Sequence, residues 1–440
     1  MLPEMFHHFK LESSICQELT KHMLHFDTNR YENKNLNIYH QSIQTFRSHN
    51  FRMLWTSSVA AHMSVGIQQV LLGWISYDIS ESIVFVGLIF ALRQVPFVVG
   101  GMIAGILSDI IDRKFLIIFT STLLAIISLA VATINQSVPF SMVGLSALAL
   151  ALGSIDSVQL TTRSAYAYQI NEHQSALNGI ALINLASKIG AIAGALAGGF
   201  LIAQFNASAG FYIMGGAYVI SAVVASQMHR TPRSSAPHQS QAPITNLISY
   251  FLLLKNNKQL QVLFISCTLT ELFGFSYQVL LPVLVAETLE AGGFTLGVLN
   301  ATKHLGGIFS IFMIVSTQTK TGSMKMISLL IIGFGVGELM LAHSSTLIFM
   351  VLAVFTINLI SGATDIVHQT LMQSITETDE RGKAMGTWVV GVGIGPAGHL
   401  EVAYLGNLLS SRVALIINGG ILIGLGIALS LFNRKTKDFD

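Results

Sequence analysis

The stretch Gly105-Ile-Leu-Ser-Asp109-Ile-Ile-Asp112-Arg113-Lys114 lies between two long apolar runs and carries the densest charge in the first half of the chain after its polar beginning. Gly105 removes a side chain where a helix ends, so another helix can approach closely. Asp109 and Asp112 are then expected to face Arg113 and Lys114 across a turn. At a water boundary such pairs form or break at little cost. An apolar run, a charged turn and a second apolar run together read as two membrane helices joined by a short loop.

The rest of the chain supports that reading. Of its 440 residues, 52% are hydrophobic and only 10% are charged, with a mean hydropathy of +0.63, which excludes a soluble domain. A bilayer-spanning helix needs ~20 mostly apolar residues, and twelve such runs follow one another from Met63 to Ile423. Backbone groups in hydrocarbon must be satisfied within their own helix, so the expected fold class is an all-α integral membrane protein, twelve transmembrane helices in two pseudo-symmetric six-helix halves. Threading the chain from a cytoplasmic start puts all but four of the 24 Lys and Arg on the cytoplasmic side. Arg412 alone falls outside, while Arg93, Lys188 and Lys303 lie within spans. This asymmetry predicts cytoplasmic termini. Residues 1–50 hold no apolar core of signal-peptide type, so the first run is expected to direct insertion. Cys16 and Cys267 are too few and too distant for a disulfide framework.

The expected divisions are a polar, His-rich cytoplasmic tail (1–45), a first six-helix bundle (46–228), a Pro/Ser/Gln-rich cytoplasmic linker (229–258), a second bundle (259–432) and a short cytoplasmic end (433–440). The tail histidines, among them His7, His8, His22 and His25, match no tight metal motif. The two bundles repeat. Gln69-Val-Leu-Leu72 recurs as Gln278-Val-Leu-Leu281, 209 positions on, and the same offset pairs His62 with Glu271. Gly87 and Arg93 match Gly297 and Lys303, and Gly153-x-x-Asp156 matches Gly362-x-x-Asp365. The charged loop has no counterpart: positions equivalent to Asp109 and Arg113 hold Thr319 and Ser323.

Ionisable groups deep within a span are costly and mark functional positions. His62, Arg93, Lys188, Glu271, Lys303 and His304 lie near the midplane of their runs, with His399 and Glu401 about a turn further out. Glu271 is the first candidate for proton coupling, because a lone carboxylate in low dielectric can exchange a proton with its surroundings. His62, its repeat-mate, and Asp365 are further candidates. The opposing reading has Glu271 in a permanent pair with Arg93 or Lys303. Asp156 is expected to pair with Arg113 or Arg163 as part of a gate, and His368 is the nearest expected partner for Asp365. Counting three midplane cations against Glu271 and Glu401 favours an anionic substrate, with Arg93, Lys303, Lys188, His399 and Glu401 as its binding residues. Gly190, Gly194, Gly198 and Gly199 form a small-residue stripe suited to close helix packing, and Pro396 permits a bend.

The loop pattern G-x-x-x-D-x-x-D-R-K, preceded by Ala91-Leu-Arg93-Gln-Val-Pro96, resembles the signature of the major facilitator superfamily of secondary transporters. With Arg381-Gly382, Gly395-Pro396 and the glycine stripe, the chain looks like the drug:proton antiporter branch, which includes siderophore exporters. The stripe departs from that branch's antiporter motif at Ala195, where a proline is expected. The resemblance implies a central cavity lined by spans one, four, seven and ten, with spans two, five, eight and eleven joining the halves. It implies a gate built on Gly105, Asp109, Asp112, Arg113, Lys114, Asp156 and Arg163. The expected function is proton-driven export of a small amphipathic, anionic, siderophore-like molecule across the inner (cytoplasmic) membrane. The protein is expected to be monomeric, with a proton gradient in place of any cofactor or metal and no nucleic-acid partner. Multidrug efflux, import or lysophospholipid flipping are alternatives on the same fold. A membrane enzyme or sensor is the rival class, but the chain has neither H-E-x-x-H nor G-x-S-x-G.

Overall fold

The computed structural model describes residues 45–170, 176–229, 250, 252–317, 324–377 and 380–436, all of them helical or in short connections. The side chains of Gly105 and Asp109, the His-rich tail and most of the expected linker lie outside the described residues, as do Thr319 and Ser323. The helices are α1 His49–Ser80, α2 Ile83–Ile110, α3 Arg113–Ile134, α4 Met142–Ile170, α5 Ala176–Gln204 and α6 Ala207–Ser226. After the linker come α7 Lys258–Leu269, α8 Leu281–Glu287, α9 Gly293–Thr317, α10 Met324–Ala342, α11 Leu347–Ser374, α12 Arg381–Val392, α13 Gly395–Leu408 and α14 Ser411–Thr436. Helix starts follow capping chemistry. Asp112 accepts a 2.9 Å bond from the Lys114 amide, and Asn206 and Asn257 cap α6 and α7 in the same way.

Burial is inverted relative to a water-soluble protein. Val143 is 80% exposed, Ile348 73% and Phe312 65%, while Ser57, Ser58, Gln68, Arg163 and Glu338 are completely buried. Apolar side chains face outward because hydrocarbon surrounds them, and polar ones turn inward to find partners. Among the described residues, nine helical stretches are long and apolar enough to cross a membrane. The remaining runs are also helical. α1 is loaded with His62, Gln68, Gln69 and serines, α9 holds Asn300, Lys303 and His304, and α12 and α13 are each short.

Packing repeats between the first six helices and the rest. α2 packs on α4 and α3 on α6; likewise α9 packs on α11 and α10 on α14. The two sets meet along α5–α9 and α2–α13, the helices of the runs expected as spans five, eight, two and eleven. Repeat-equivalent glycines make both contacts. A Cβ on Gly87 would lie 2.7 Å from the His399 carbonyl oxygen, and one on Gly297 would lie 2.5 Å from that of Ala195. The stripe on α5 is divided between partners: Gly190, Gly194 and Gly198 face Val59, Met63 and Ile67 of α1, and Gly199 faces Gly293 and Gly297 of α9.

The second set departs from the first in continuity. Where α1 runs unbroken, the seventh span splits into α7, a π turn at Thr270–Gly274, a 3-10 turn at Phe275–Val279, and α8, which starts with Pro282 in its first turn. The run expected as the eleventh span breaks between α12 and α13 at Gly393-Ile394, with Pro396 opening α13. Gly398 packs against the Leu272 carbonyl, so one break rests on the other.

Candidate functional site

Between the two helix sets lies a cavity of about 530 Å³. Its charged lining comes from His62 on α1, Arg93 on α2, Asp156 on α4, Lys188 on α5, His304 on α9 and Asp365 on α11. It extends to Leu160 and Ile366, towards the helix ends that carry the basic loops. A second cleft of about 370 Å³ shares Ile366 and continues to Gln373 and Arg381. The opposite ends are drawn together. Tyr77 donates a 2.9 Å hydrogen bond to Glu287 Oε1, and α5 and α9 touch backbone to backbone at Gly199 and Gly297.

In the first half Arg93 and Asp156 are paired. Arg93 Nη2 lies 3.9 Å from Asp156 Oδ2, and the Tyr218 hydroxyl donates to Asp156 Oδ1 at 3.2 Å. Gln68, with its amide turned to suit both neighbours, donates to Asp156 Oδ2 at 3.0 Å and accepts from Arg93 Nε at 3.3 Å. A Cβ on Gly153 would run into the Arg93 backbone, so this glycine lets α2 and α4 close enough for the pair. Asp156 therefore does not pair with Arg163 or Arg113. Arg163 is completely buried and donates to four serine hydroxyls: Ser57 (3.0 Å), Ser58 (3.1 Å), Ser121 (3.3 Å) and Ser221 (2.8 Å). Arg113 donates to the Ala165 carbonyl (3.0 Å) and Gln169 Oε1 (3.1 Å) on α4, and Lys114 Nζ to the Met228 carbonyl. Asp112 caps its own helix instead of meeting these cations.

The equivalent residues of the second half are arranged differently. Lys303 donates to Gln278 Oε1 at 2.8 Å and to Gln69 Oε1 at 3.1 Å, so both copies of the repeated Gln-Val-Leu-Leu motif converge on it. His304 Nε2 shares Gln69 Oε1 at 3.2 Å. Asp365 has no hydrogen bond or ion pair among the described residues, and the cation near enough to act on it is Lys188, from the other half. Lys188 Nζ rests against Gly307, 3.3 Å from where a Cβ would be. His368 is not the partner of Asp365; it is held by Ser266 Oγ (3.0 Å) and the Thr364 carbonyl (3.1 Å).

Glu271 lies in the π turn, 7% exposed, beside rather than within the cavity lining. It is paired with neither Arg93 nor Lys303. A Cβ on Gly395 would lie 2.5 Å from Gln94 Nε2 and 3.2 Å from Glu271 Oε1, so the carboxyl sits where the two helix breaks meet. His62 Nδ1 is 2.8 Å from the Ser58 carbonyl oxygen. His399 and Glu401 do not line the cavity: His399 packs edge-on to Phe90 between α2 and α13, and Glu401 accepts from Asn418 at 3.2 Å. The expected charge count changes accordingly. Asp156 serves Arg93 and Asp365 faces Lys188, which leaves Lys303 bonded only to amide oxygens.

Sequence reasoning passed over Gln68, Gln69, Gln278 and Tyr218 as site residues. The glutamines were visible as the strongest repeat match, and their recurrence was the signal for a shared polar task. Among the described residues, no three His, Cys, Asp or Glu side chains are placed to hold a metal ion.

The comparisons with known proteins agree with this architecture. The chain is 23% identical over 398 residues to the "Staphyloferrin A transporter" of Staphylococcus aureus (strain NCTC 8325 / PS 47), covering 88% of this chain and 97% of that protein. Its fold is similar to that of the nucleoside transporter NupG, with a TM-score of 0.70 at 15% identity over 87% of this chain and 99% of the other. A POT family transporter in complex with 5-aminolevulinic acid gives a TM-score of 0.70 at 11% identity, covering 88% and 96% of the two chains. These two likenesses show a shared fold. The model of the Major Facilitator Superfamily matches residues 54–319 and 263–438, nearly all of the helical part, so the chain belongs to that superfamily of membrane transporters and not to an enzyme family.

Proposed function

We propose that the protein is a twelve-span, proton-driven exporter of a small amphipathic, anionic, siderophore-like molecule, working by alternating access in the cytoplasmic membrane with both termini inside. The observation that carries this reading is the charged cavity between the two helix sets, closed at one end by Tyr77–Glu287 and the α5–α9 contact and extending towards the basic loops. With the basic loops cytoplasmic, this is the inward-facing state in which an exporter loads. Substrate sites at the interface between repeats, served by discontinuous helices, fit the same mechanism.

Arg93, Lys188 and Lys303 are the groups proposed to meet the anionic part of the substrate, and Lys303 becomes reachable when Gln69 is displaced. Glu271 is proposed to carry the driving proton. Charging or neutralising it alters the junction of two helix breaks, which are the parts of the bundle best able to change shape. Asp365, facing Lys188 across the halves, and His62 are the proposed partners in that exchange. The loop from Gly105 to Lys114, with Asp156 and Arg163, is the proposed gate. Its described members brace α3 against α4 and the end of α6.

The test uses proteoliposomes and staphyloferrin A as the first probe, because a relative carries that name. An imposed proton gradient should drive uphill movement of the probe by the parent protein. Glu271→Gln should abolish uphill movement while exchange down a gradient continues. Full gradient-driven transport by that variant would remove Glu271 from the mechanism. Transport of cationic dyes in preference to the siderophore would favour multidrug efflux.

A further inference from the structure

Behind the broken seventh span, away from the central cavity, lies a second group of polar side chains that the cavity does not use. Glu338 on α10 is completely buried, and neither carboxyl oxygen has a hydrogen-bond partner. Among the described residues, the charged group that acts on it is another carboxyl, Glu401 of α13. Tyr277, from the 3-10 turn, is near enough to feel its charge, but its hydroxyl, which accepts from Asn358 of α11 at 2.7 Å, makes no hydrogen bond to either Glu338 oxygen. Asn418 on α14 is also completely buried. Its Nδ2 donates to Glu401 Oε2 (3.2 Å), Ser276 Oγ (3.2 Å) and the Phe273 carbonyl (3.4 Å), while its Oδ1 has no donor.

The cluster therefore holds acceptors in excess. Both Glu338 oxygens and Asn418 Oδ1 need donors that the described residues do not supply. An ionised carboxylate placed there, beside a second one, would face a desolvation cost of several kcal/mol with no cation to offset it. One proton resolves the conflict, since it turns a Glu338 oxygen from acceptor to donor. Little space remains for a larger ion: a turn away, α10 and α14 touch backbone to backbone, with a Cβ on Gly419 only 2.8 Å from the Gly335 carbonyl oxygen.

We propose that Glu338, with Glu401 and Asn418, forms a second proton-binding site of the transporter, loaded through Glu401 from the face opposite the basic loops. This rests on the proton-driven reading above. Glu401 is part-exposed and lies two turns from Leu408, the end of α13 on that face. The two carboxyls make no hydrogen bond to each other, so in the transfer the O–H bond on Glu401 breaks to a bridging water, which gives a proton to a Glu338 oxygen, and a proton from bulk water restores Glu401. Asn418 links the event to the mechanism, because Phe273 and Ser276 belong to the irregular stretch that carries Glu271. Loading the cluster changes the hydrogen bonds that hold one side of that stretch, while Glu271 acts on the other.

The experiment is infrared difference spectroscopy on the full-length protein in lipid nanodiscs, without substrate or gradient, between acidic and alkaline baths. The parent protein should show a carboxylic C=O band that disappears reversibly as the bath is made alkaline. Glu338→Gln should lose that band, and Glu338→Asp should keep it at a shifted position, which covers the case where the glutamine variant does not fold. Glu401→Gln should retain the band but slow its shift in deuterium oxide. The same pH-sensitive band in Glu338→Gln would overturn the proposal. So would a band that persists at every pH until unfolding, since Glu338 would then be a fixed structural acid, or one displaced by sodium instead of by alkali. The spectrum needs no transport. Failure here leaves Glu271 untouched, and failure of Glu271→Gln to uncouple transport leaves this spectrum unchanged.

Discussion

The two halves solve the same packing problem with equivalent residues and arrive at different states. In the first, α1 is continuous, and Arg93 and Asp156 close on each other with Gln68 and Tyr218 completing their bonds. In the second, the helix equivalent to α1 is broken at Glu271. Lys303 and Asp365, the counterparts of Arg93 and Asp156, are not paired; one reaches Gln69 of the other half and the other faces Lys188 of the other half. The Arg93–Asp156 pair is thus satisfied within the first half, while its counterparts in the second depend on contacts across the interface. Under the alternating-access mechanism proposed above, the half that depends on the interface is the one whose energy changes when the interface opens.

Packing gives the largest contrast to test. Gly194 sits against the Met63 carbonyl of a continuous helix, whereas Gly398 sits against the Leu272 carbonyl of an irregular turn. Gly194→Leu should prevent recovery of a monodisperse protein, because overpacking a rigid contact costs about 1–3 kcal/mol or more. Gly398→Leu should be recovered in reduced yield, since the broken helix can yield. Fluorescence-detected size-exclusion chromatography measures both, and equal losses would show that the break offers no slack.

Charge gives the next. Asp156→Asn strips Arg93 of the carboxylate it pairs with among the described residues and should lower stability by about 3 kcal/mol, the low end for breaking a buried pair because Arg93 keeps 18% exposure. Asp365→Asn should change stability by less than about 0.5 kcal/mol yet impair transport. Thermal unfolding in detergent, beside proteoliposome transport, separates the two. A destabilised Asp365→Asn would mean that the second half also relies on an ion pair.

How far these contrasts could be read beforehand depended on the kind of signal. Periodic features were legible: the Gly190, Gly194 and Gly198 stripe does pack on one neighbour, and the repeat of Gln69 and Gln278 does mark equivalent positions. Gly87 and Gly297, matched along the chain only as repeat positions, make the two equivalent contacts between the helix sets. Partner choice was not legible, because it depends on which faces meet. Arg163 is seven residues from Asp156 on the same helix, and nothing along the chain indicates that four serines from α1, α3 and α6 surround it instead. Glu338 was overlooked because a single acid near a helix end reads as an interfacial residue until its burial is seen. The break at Glu271 also lacked a local marker, since Pro282 lies eleven residues further on.

Substrate charge should expose the same asymmetry more mildly. Arg93→Gln removes a cation that already has a carboxylate partner, whereas Lys303→Gln removes one held only by amides. Lys303→Gln should therefore weaken transport of an anionic siderophore by about tenfold, or 1.4 kcal/mol, and leave cationic dye efflux nearly unchanged. Arg93→Gln should weaken both, because it also leaves Asp156 buried without its cation. Side-by-side measurement of excreted siderophore and retained dye, in cells lacking competing pumps, reads the difference. A greater loss of dye efflux for Lys303→Gln would reverse the assignment of substrate charge.

The smallest effect is expected at the closed end, where, among the described residues, the halves meet through one side-chain hydrogen bond. Tyr77 donates to Glu287 at 2.9 Å, and both groups are near the surface. Such a bond contributes about 0.5–1.5 kcal/mol net. If it belongs only to the inward-facing state, Tyr77→Phe shifts the equilibrium towards the outward-facing state by that amount, a factor of roughly two to ten. Cysteines placed at the ends of α1 and α8 should then label faster from outside, while the folded protein remains as stable as before. Binding of substrate from the cytoplasmic side should weaken by the same factor, since the competent state is less populated. Unchanged labelling would show that the seal rests on the α5–α9 contact at Gly199 and Gly297, where neither helix offers a side chain that can let go. Closure would then be a property of the two glycine-lined backbones, and Gly297→Ala, not Tyr77→Phe, would be the variant that opens the outer face.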